Sequence, residues 1–180
     1  MKEEVYGYYC EAGRVANRVL SLGAREVRTG ASIAEVVTSI EQQVLDGEGV
    51  GLAFPLNLSI NEDAAHDTAM AGDERRLKEG DVVKLDLGVH IEGYIADVAT
   101  TVDLGNHGPL VNASRAALED AIRVVKPGVT AGEIGAIIQH TIESQGFRPI
   151  ANLSGHGLDR YAIHVPPTIP NLAISGGSIL

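Results

Sequence analysis

Apolar residues recur at helical spacing over the first 22 residues of the chain. The stripe consists of Val5, Tyr8, Tyr9, Ala12, Val15, Ala16, Val19, Leu20 and Leu22. This spacing predicts an amphipathic helix over residues 5–22 that buries the apolar face. Ser32 then stands three residues before Glu35, which is the spacing of a capping box. We therefore expect a second helix to begin there, to present an apolar face over residues 33–44 and to end at Gly47.

The middle of the chain has the pattern of strands. Residues 49–60 are typical of a strand or a strand-like loop, and residues 81–89 and 94–104 are two β-rich runs. The four residues His90-Ile91-Glu92-Gly93 separate these runs, so we predict an antiparallel hairpin.

The second half of the chain carries two further helical patterns. Residues 113–126 form the first, which ends at Pro127-Gly128. Thr130 opens a second capping box, and the helix that it begins reaches Gly146. After this helix we expect a short strand over residues 149–153 and then an irregular loop, because prolines stand at positions 166, 167 and 170.

The second half also repeats the order of the first. The segment from Gly30 to Val36 aligns with the segment from Gly128 to Ile134, at an offset of 98 residues. Two unrelated capped helices are the alternative, because capping boxes are common. Under the repeat, a second hairpin would begin near position 179, so we expect the sequence to stop just before its last structural element.

Composition and charge narrow the class of protein. The chain has 180 residues, of which 44% are apolar, so it can bury the core of a domain. Its net charge of -10 argues against binding to nucleic acid or to an anionic membrane surface. A single cysteine, Cys10, excludes an internal disulfide and a cysteine-rich zinc site. Because we find no secretory signal and no apolar run of membrane-spanning length, we expect a cytoplasmic protein.

Asp86 and Asp97 are the first candidates for chemistry. Alternation along the first β-rich run places Leu85 and Leu87 on one face and Asp86 on the other. If the hairpin turned at Ile91-Glu92, Asp86 would lie directly opposite Asp97. Two facing carboxylates repel each other in an apolar setting, and a bound divalent cation removes that conflict. Two solvated strand aspartates, or a register shifted by one residue, are the alternatives.

Three histidines stand in motifs that suit the same chemistry. They are His66, His156 and His164, and His156 lies between two glycines, which let a backbone approach a neighbouring group closely. Taken singly, each histidine is more typical of a packed or surface residue. Taken with the two aspartates, they favour a metal site.

Several ordered motifs connect these residues along nearly the whole chain. They are Asn57-Leu-Ser-Ile-Asn61-Glu-Asp-Ala-Ala-His66, Lys84-Leu-Asp86-Leu-Gly88-Val-His90-Ile-Glu-Gly93-Tyr-Ile-Ala-Asp97, Asn152-Leu-Ser-Gly-His156, Ile163-His164 and Ile169-Pro170-Asn171. Together they resemble the motifs of the type II methionine aminopeptidases. The likeness is closest to the archaeal form, because the eukaryotic N-terminal extension is absent.

The resemblance implies the pita-bread metallopeptidase fold, which is an α/β (α+β) fold. In that fold, two halves related by a pseudo-twofold enclose a dinuclear metal site. Residues 1–180 would then form a single catalytic domain. Its first half would cover about residues 1–110, and an incomplete second half would cover about residues 111–180.

The resemblance also implies the chemistry of the site. Asp86, Asp97 and His156 would bind two divalent metal ions, which could be cobalt, manganese, iron(II) or zinc. His66 and His164 would contact the substrate and the developing tetrahedral intermediate. The enzyme would be a metal-dependent hydrolase that removes the initiator methionine from nascent polypeptides with a small second residue.

Two departures qualify the resemblance. The family uses two further glutamates downstream of the segment that ends at Asn171, and none occurs before Leu180, so we expect a C-terminally truncated chain. Asp67-Thr68-Ala69 stands where many members carry an aromatic residue and a proline, which bears on fine substrate contacts. A non-catalytic pita-bread binding protein, and an Xaa-Pro aminopeptidase or prolidase, are the alternatives. The Asn-Leu-Ser-Ile-Asn-Glu context of His66 speaks against the second of these.

Overall fold

A computed structural model describes residues 2–180 as two compact units of mixed helix and strand. The first unit runs to Asn106 and includes Asp159–Ala162, and the second comprises His107–Leu158 and Ile163–Leu180. The elements in chain order are α1 (Glu3–Gly23), α2 (Ile33–Leu45), β1 (Val50–Leu52), β2 (Asn57–Ile60), β3 (Val82–Ile91), β4 (Tyr94–Asp103), α3 (Gly108–Val124), α4 (Ala131–Ser144), β5 (Ser154–Asp159) and β6 (Ala162–Pro170). Among these residues, no helix combines the length and apolar character that crossing a membrane requires.

The core of the first unit lies between its two helices and one face of its sheet. Both predicted helices are present, and the expected apolar face of α2 is buried throughout. Ser32 caps α2 by accepting a hydrogen bond from the Glu35 amide. The strand residues in this core include Leu58, Val83, Leu85, Leu87 and Val89, which are all fully buried. Leu22, which we included in the stripe of α1, is instead 45% exposed.

Strand β3 is the centre of the four-stranded sheet, with β1 and β2 along one edge and β4 along the other, all antiparallel. The turn between β3 and β4 is Glu92-Gly93, with φ of 52° and 87°. Two positive φ values in a two-residue loop are the signature of a type I′ hairpin turn. This tighter turn pairs Asp86 with Ala99 and Gly88 with Asp97, so our direct pairing of the two aspartates is wrong.

Helices α3 and α4 pack against each other in the second unit. The capping box that we predicted at Thr130 is present, because its hydroxyl accepts from the Glu133 amide and the Glu133 carboxylate accepts from the Thr130 amide. Donation to the Glu133 carboxylate from the amide and the hydroxyl of Thr130 lowers the pKa of Glu133. Helix α3 begins five residues before the predicted start, since Pro109 is tolerated in its first turn.

The end of the second unit differs from our expectation. Residues 149–153 are not a strand, and the proline-containing segment is not an irregular loop. Strands β5 and β6 instead form a two-stranded hairpin, and the prolines lie within β6. A two-stranded ribbon tolerates proline because each strand is an edge and leaves half of its amides outside the ladder.

Hydrogen bonds support the repeat that the sequence indicated. The amide of Gly30 donates to the Leu77 carbonyl, and the amide of Gly128 donates to the Leu180 carbonyl, at 2.8 and 2.9 Å. Leu180 therefore corresponds to Leu77, which lies before β3. The bridge between Thr130 and Ile179 likewise repeats the bridge between Ser32 and Arg76, and a second hairpin that begins near position 179 stays a prediction.

Gly93 gives a test of the turn that sets the sheet register. A Cβ at this position would meet the Tyr161 ring, whereas a Cβ at Gly80, which also has a positive φ, would meet no heavy atom within 4 Å. We expect Gly80→Ala to lower the free energy of unfolding by about 1 kcal/mol through backbone strain alone. Gly93→Ala should cost roughly 2–3 kcal/mol, because a steric clash is added. Unfolding in guanidinium measures the loss of stability in each variant. Equal losses would show that the Tyr161 ring adds no steric cost at Gly93.

Candidate metal centre

Asp86 and Asp97 share the face of the sheet that is turned away from the hydrophobic core. Directly paired residues share a face, and Asp97 stands two residues from Ala99, the partner of Asp86. Leu85 and Leu87 are fully buried on the other face, as we predicted. The two aspartates are diagonal neighbours, whose Cα atoms are typically about 7–8 Å apart. The error of two residues in the register preserved the face because strand side chains alternate with a period of two.

The surroundings of this pair are partly apolar. Ile95 lies on the same face and is 4% exposed, and the Phe54 ring occupies the space where a Gly88 side chain would stand. Asn57 on β2 pairs with Asp86 from the other side. Apolar neighbours exclude water and strengthen the repulsion between carboxylates, which also strengthens their attraction for a cation.

His66 lies beyond the outer edge of β2 and has a positive φ of 68°. The residue that follows it is fixed to β2, because the Leu58 amide donates to the Asp67 carbonyl at 2.7 Å. Since β2 pairs with the Asp86 region of β3, the backbone of His66 lies near Asp86, at about two strand spacings or roughly 10 Å.

In the second unit, the β5–β6 hairpin brings His156 and His164 together. Their ring centroids are 4.4 Å apart and the rings meet edge to face at 76°. The Nδ1 atom of His156 lies 3.2 Å from the Gly157 carbonyl oxygen. A carbonyl can only accept, so this contact favours the proton on Nδ1 and a lone pair on Nε2, as in many metal-binding histidines.

Close packing against the neighbouring strand explains why glycines flank His156. A side chain at Gly157 would collide with the carbonyl of Pro166 on the neighbouring strand, while one at Gly155 would lie 3.3 Å from the Ile169 Cβ atom. Asn171 fixes the segment before β5 by donating to the carbonyls of Ile150 and Leu153, at 3.1 and 3.0 Å. The glycines therefore serve close strand packing, and Asn171 holds the loop that leads to the histidine.

These donors match a divalent metal in type. Carboxylate oxygens and imidazole nitrogens are ligands for manganese, iron(II), cobalt and zinc. Within either unit, no three His, Cys, Asp or Glu side chains of residues 2–180 are grouped as a metal site. The first unit presents the aspartate pair and the second the histidine pair. The convergence of Asp86, Asp97, His66, His156 and His164 on one centre stays a prediction.

Comparisons with known proteins agree with the motifs. Residues 8–179 match the model of metallopeptidase family M24. The methionine aminopeptidase of Archaeoglobus fulgidus is 48% identical over 180 residues, which are 100% of this chain and 62% of that protein. The methionine aminopeptidase of Methanocaldococcus jannaschii is 46% identical over 175 residues, 96% of this chain and 58% of that protein. The chain thus spans about 60% of the length of these curated relatives.

Solved structures give the same comparison. The methionine aminopeptidase of Thermotoga maritima has a TM-score of 0.86 and 30% identity, over 100% of this chain and 76% of that one. The prolidase of Pyrococcus furiosus also has a TM-score of 0.86, at 23% identity, over 99% of this chain and 53% of that one. At that identity, the likeness to the prolidase concerns the fold alone.

The two glycines that flank His156 offer matched substitutions. Gly157→Ala should lower the free energy of unfolding by about 1–3 kcal/mol, because its Cβ would collide with backbone that cannot move independently. We expect it also to shift the ring signals of His156 and His164 in histidine-selective NMR spectra. A Cβ at Gly155 would lie no closer than 3.3 Å to Ile169, so Gly155→Ala should cost less than about 1 kcal/mol with small ring shifts. Similar effects of the two substitutions would contradict this account of the hairpin.

Proposed function

Because the chain belongs to metallopeptidase family M24, we propose that its residues build the metal-binding part of a methionine aminopeptidase in the cytoplasm. Its fold is the pita-bread fold of that family. The observation that carries the proposal is the identity of 38–48% to curated archaeal methionine aminopeptidases, together with both aspartates on one sheet face. The prolidases are 22–24% identical, which favours the aminopeptidase over the prolidase alternative.

We propose that Asp86, Asp97 and His156 are ligands of divalent metal, with two ions in the complete site. Support comes from the shared face of the aspartates and from the Nδ1 contact of His156, which favours a lone pair on Nε2. A divalent ion bound there supplies Lewis-acid polarisation of the scissile carbonyl and lowers the pKa of water. Cobalt, manganese, iron(II) and zinc all accept this donor set.

The proposed role of His66 and His164 is to contact the substrate. An imidazole N–H placed near the scissile carbonyl can donate a hydrogen bond to the oxygen as negative charge develops on it. The substrate would be the N-terminus of a nascent polypeptide with methionine first and a small residue second. The chain carries all three proposed metal ligands and both of these histidines, which favours an enzyme over a non-catalytic binding protein.

A chimera tests the proposed ligands. Residues 1–180 would replace the matched 62% of the Archaeoglobus fulgidus enzyme, and the rest of that enzyme would be kept. With cobalt or manganese, the chimera should release methionine from Met-Ala-Ser. Asp97→Asn should lower kcat at least about 100-fold by removing a charged ligand. Asp103→Asn, the same change on the same face of β4, is the control and should have little effect. Full activity of the Asp97→Asn chimera would refute the ligand assignment.

A polypeptide of residues 1–180 alone should have little or no aminopeptidase activity. Three ligands cannot complete the coordination of two dications, so we expect at most one ion to bind, weakly and mostly hydrated. Calorimetric titration with manganese gives the stoichiometry, and Asp86→Asn and His156→Ala should each weaken the binding. Turnover comparable to that of the chimera would mean that other residues supply the missing ligands.

A further inference from the structure

The loop that carries His66 is held by an arginine that has no place in the proposed metal site. The guanidinium of Arg75 donates to the Asp67 carboxylate at 2.8 Å and to the Thr68 carbonyl at 3.1 Å. Its Nε and Nη2 atoms also donate to Oδ2 of Asp73 at 2.9 and 2.7 Å, and Nε donates to Oδ1 at 3.1 Å. One side chain therefore connects three residues of the same loop, two of which directly follow His66.

The conformation of His66 makes such a connection necessary. A φ of 68° is left-handed backbone, which is strained for a residue with a Cβ and needs support from its surroundings. On its C-terminal side, Asp67 and Thr68 are tied to the outer edge of β2. The Asp67 amide donates to the Ser59 hydroxyl at 3.2 Å, and the Thr68 hydroxyl donates to the Leu56 carbonyl at 2.6 Å.

Arg75 is itself fixed to the core of the first unit. Its carbonyl accepts a hydrogen bond from the amide of Ile33, the first residue of α2, at 3.1 Å. Two residues later, Leu77 is 1% exposed and donates its amide to the Ala31 carbonyl. The backbone of Arg75 is thus anchored at the start of α2, while the N–H groups of its side chain reach the loop.

The charges in this cluster favour a fixed geometry. The side chain of Asp73 is 7% exposed and that of Asp67 is 28% exposed, while that of Arg75 is 48% exposed. Arg75 lowers the pKa of Asp73, and the two carboxylates raise the pKa of Arg75. An isolated surface ion pair contributes little, but a forked guanidinium that serves two carboxylates and a carbonyl is well ordered.

We propose that Arg75 is a positioning residue that holds His66 in its left-handed conformation, through Asp67 and the Thr68 carbonyl, for contact with the substrate. The role in catalysis rests on the proposed function of His66. Asp67 also stands at the position where the sequence departs from the pattern of many family members. The Arg75–Asp67 pair therefore gives this chain its own means of fixing the histidine.

The first experiment reads the backbone and needs no activity. In the chain of residues 1–180, Arg75→Ala should change the amide shift and the HN–Hα coupling of His66, whose signal His66→Ala identifies. It should also speed hydrogen exchange of the Leu58 amide about tenfold, because that amide donates to the Asp67 carbonyl. Arg76→Ala is the matched control, since the guanidinium of Arg76 donates to the Gly30 carbonyl. Unchanged His66 signals in Arg75→Ala would overturn the proposal.

A milder substitution covers the case in which Arg75→Ala fails to fold. Asp67→Asn removes one charge from the cluster and leaves the Arg75–Asp73 pair in place. It should shift the His66 signals in the same direction as Arg75→Ala, by a smaller amount. His66 signals that match those of the unsubstituted chain would overturn the proposal here too.

The second experiment uses the chimera and tests the link to catalysis. Arg75→Ala should lower kcat for Met-Ala-Ser about tenfold and change KM less than twofold, because His66 is proposed to act on the developing intermediate. In a His66→Ala background, the same substitution should lower kcat less than twofold further. A full additional loss in that background would overturn action through His66. An inactive unsubstituted chimera would instead refute the proposed function, and the NMR result would still decide whether Arg75 holds the loop.

Discussion

The two-residue turn at Glu92-Gly93 sets the register on which the sheet and the aspartate pair depend. Both residues have positive φ, so the turn joins β3 to β4 without a bulge and pairs Asp86 with Ala99. A shift of one residue would move Asp97 to the core face and expose its apolar neighbours. The same register therefore buries Leu85 and Leu87 on the core face and places both carboxylates on the opposite face.

Periodicity was a sufficient guide to the helices and to which sheet face carries the carboxylates. It did not give the register, because the four-residue linker from His90 to Gly93 is compatible with several turns. The true turn lies one position later than we assumed, which moves the partner of Asp86 by two residues. Residue propensity did not predict β5 and β6. Their glycines and prolines meet requirements of packing between the two strands, which the local sequence pattern does not reveal.

The positions of the histidines were visible in the sequence, but their environment was not. His66 and His164 are 98 residues apart, which is the offset that the sequence indicated for the repeat. The left-handed backbone of His66 and the cluster around Arg75 could not have been, because the loop has neither helical nor strand periodicity. Such contacts depend on side chains that meet only after the loop has been fixed to β2 and α2.

The repeat also aligns a core position of the first half with a candidate metal ligand of the second half. At the offset of 98, His156 corresponds to Leu58, which is fully buried among the core residues of the first unit. The two copies thus keep the histidines at positions 66 and 164 but differ at 58 and 156. In the proposed ligand set, carboxylates come from one copy and the imidazole from the other.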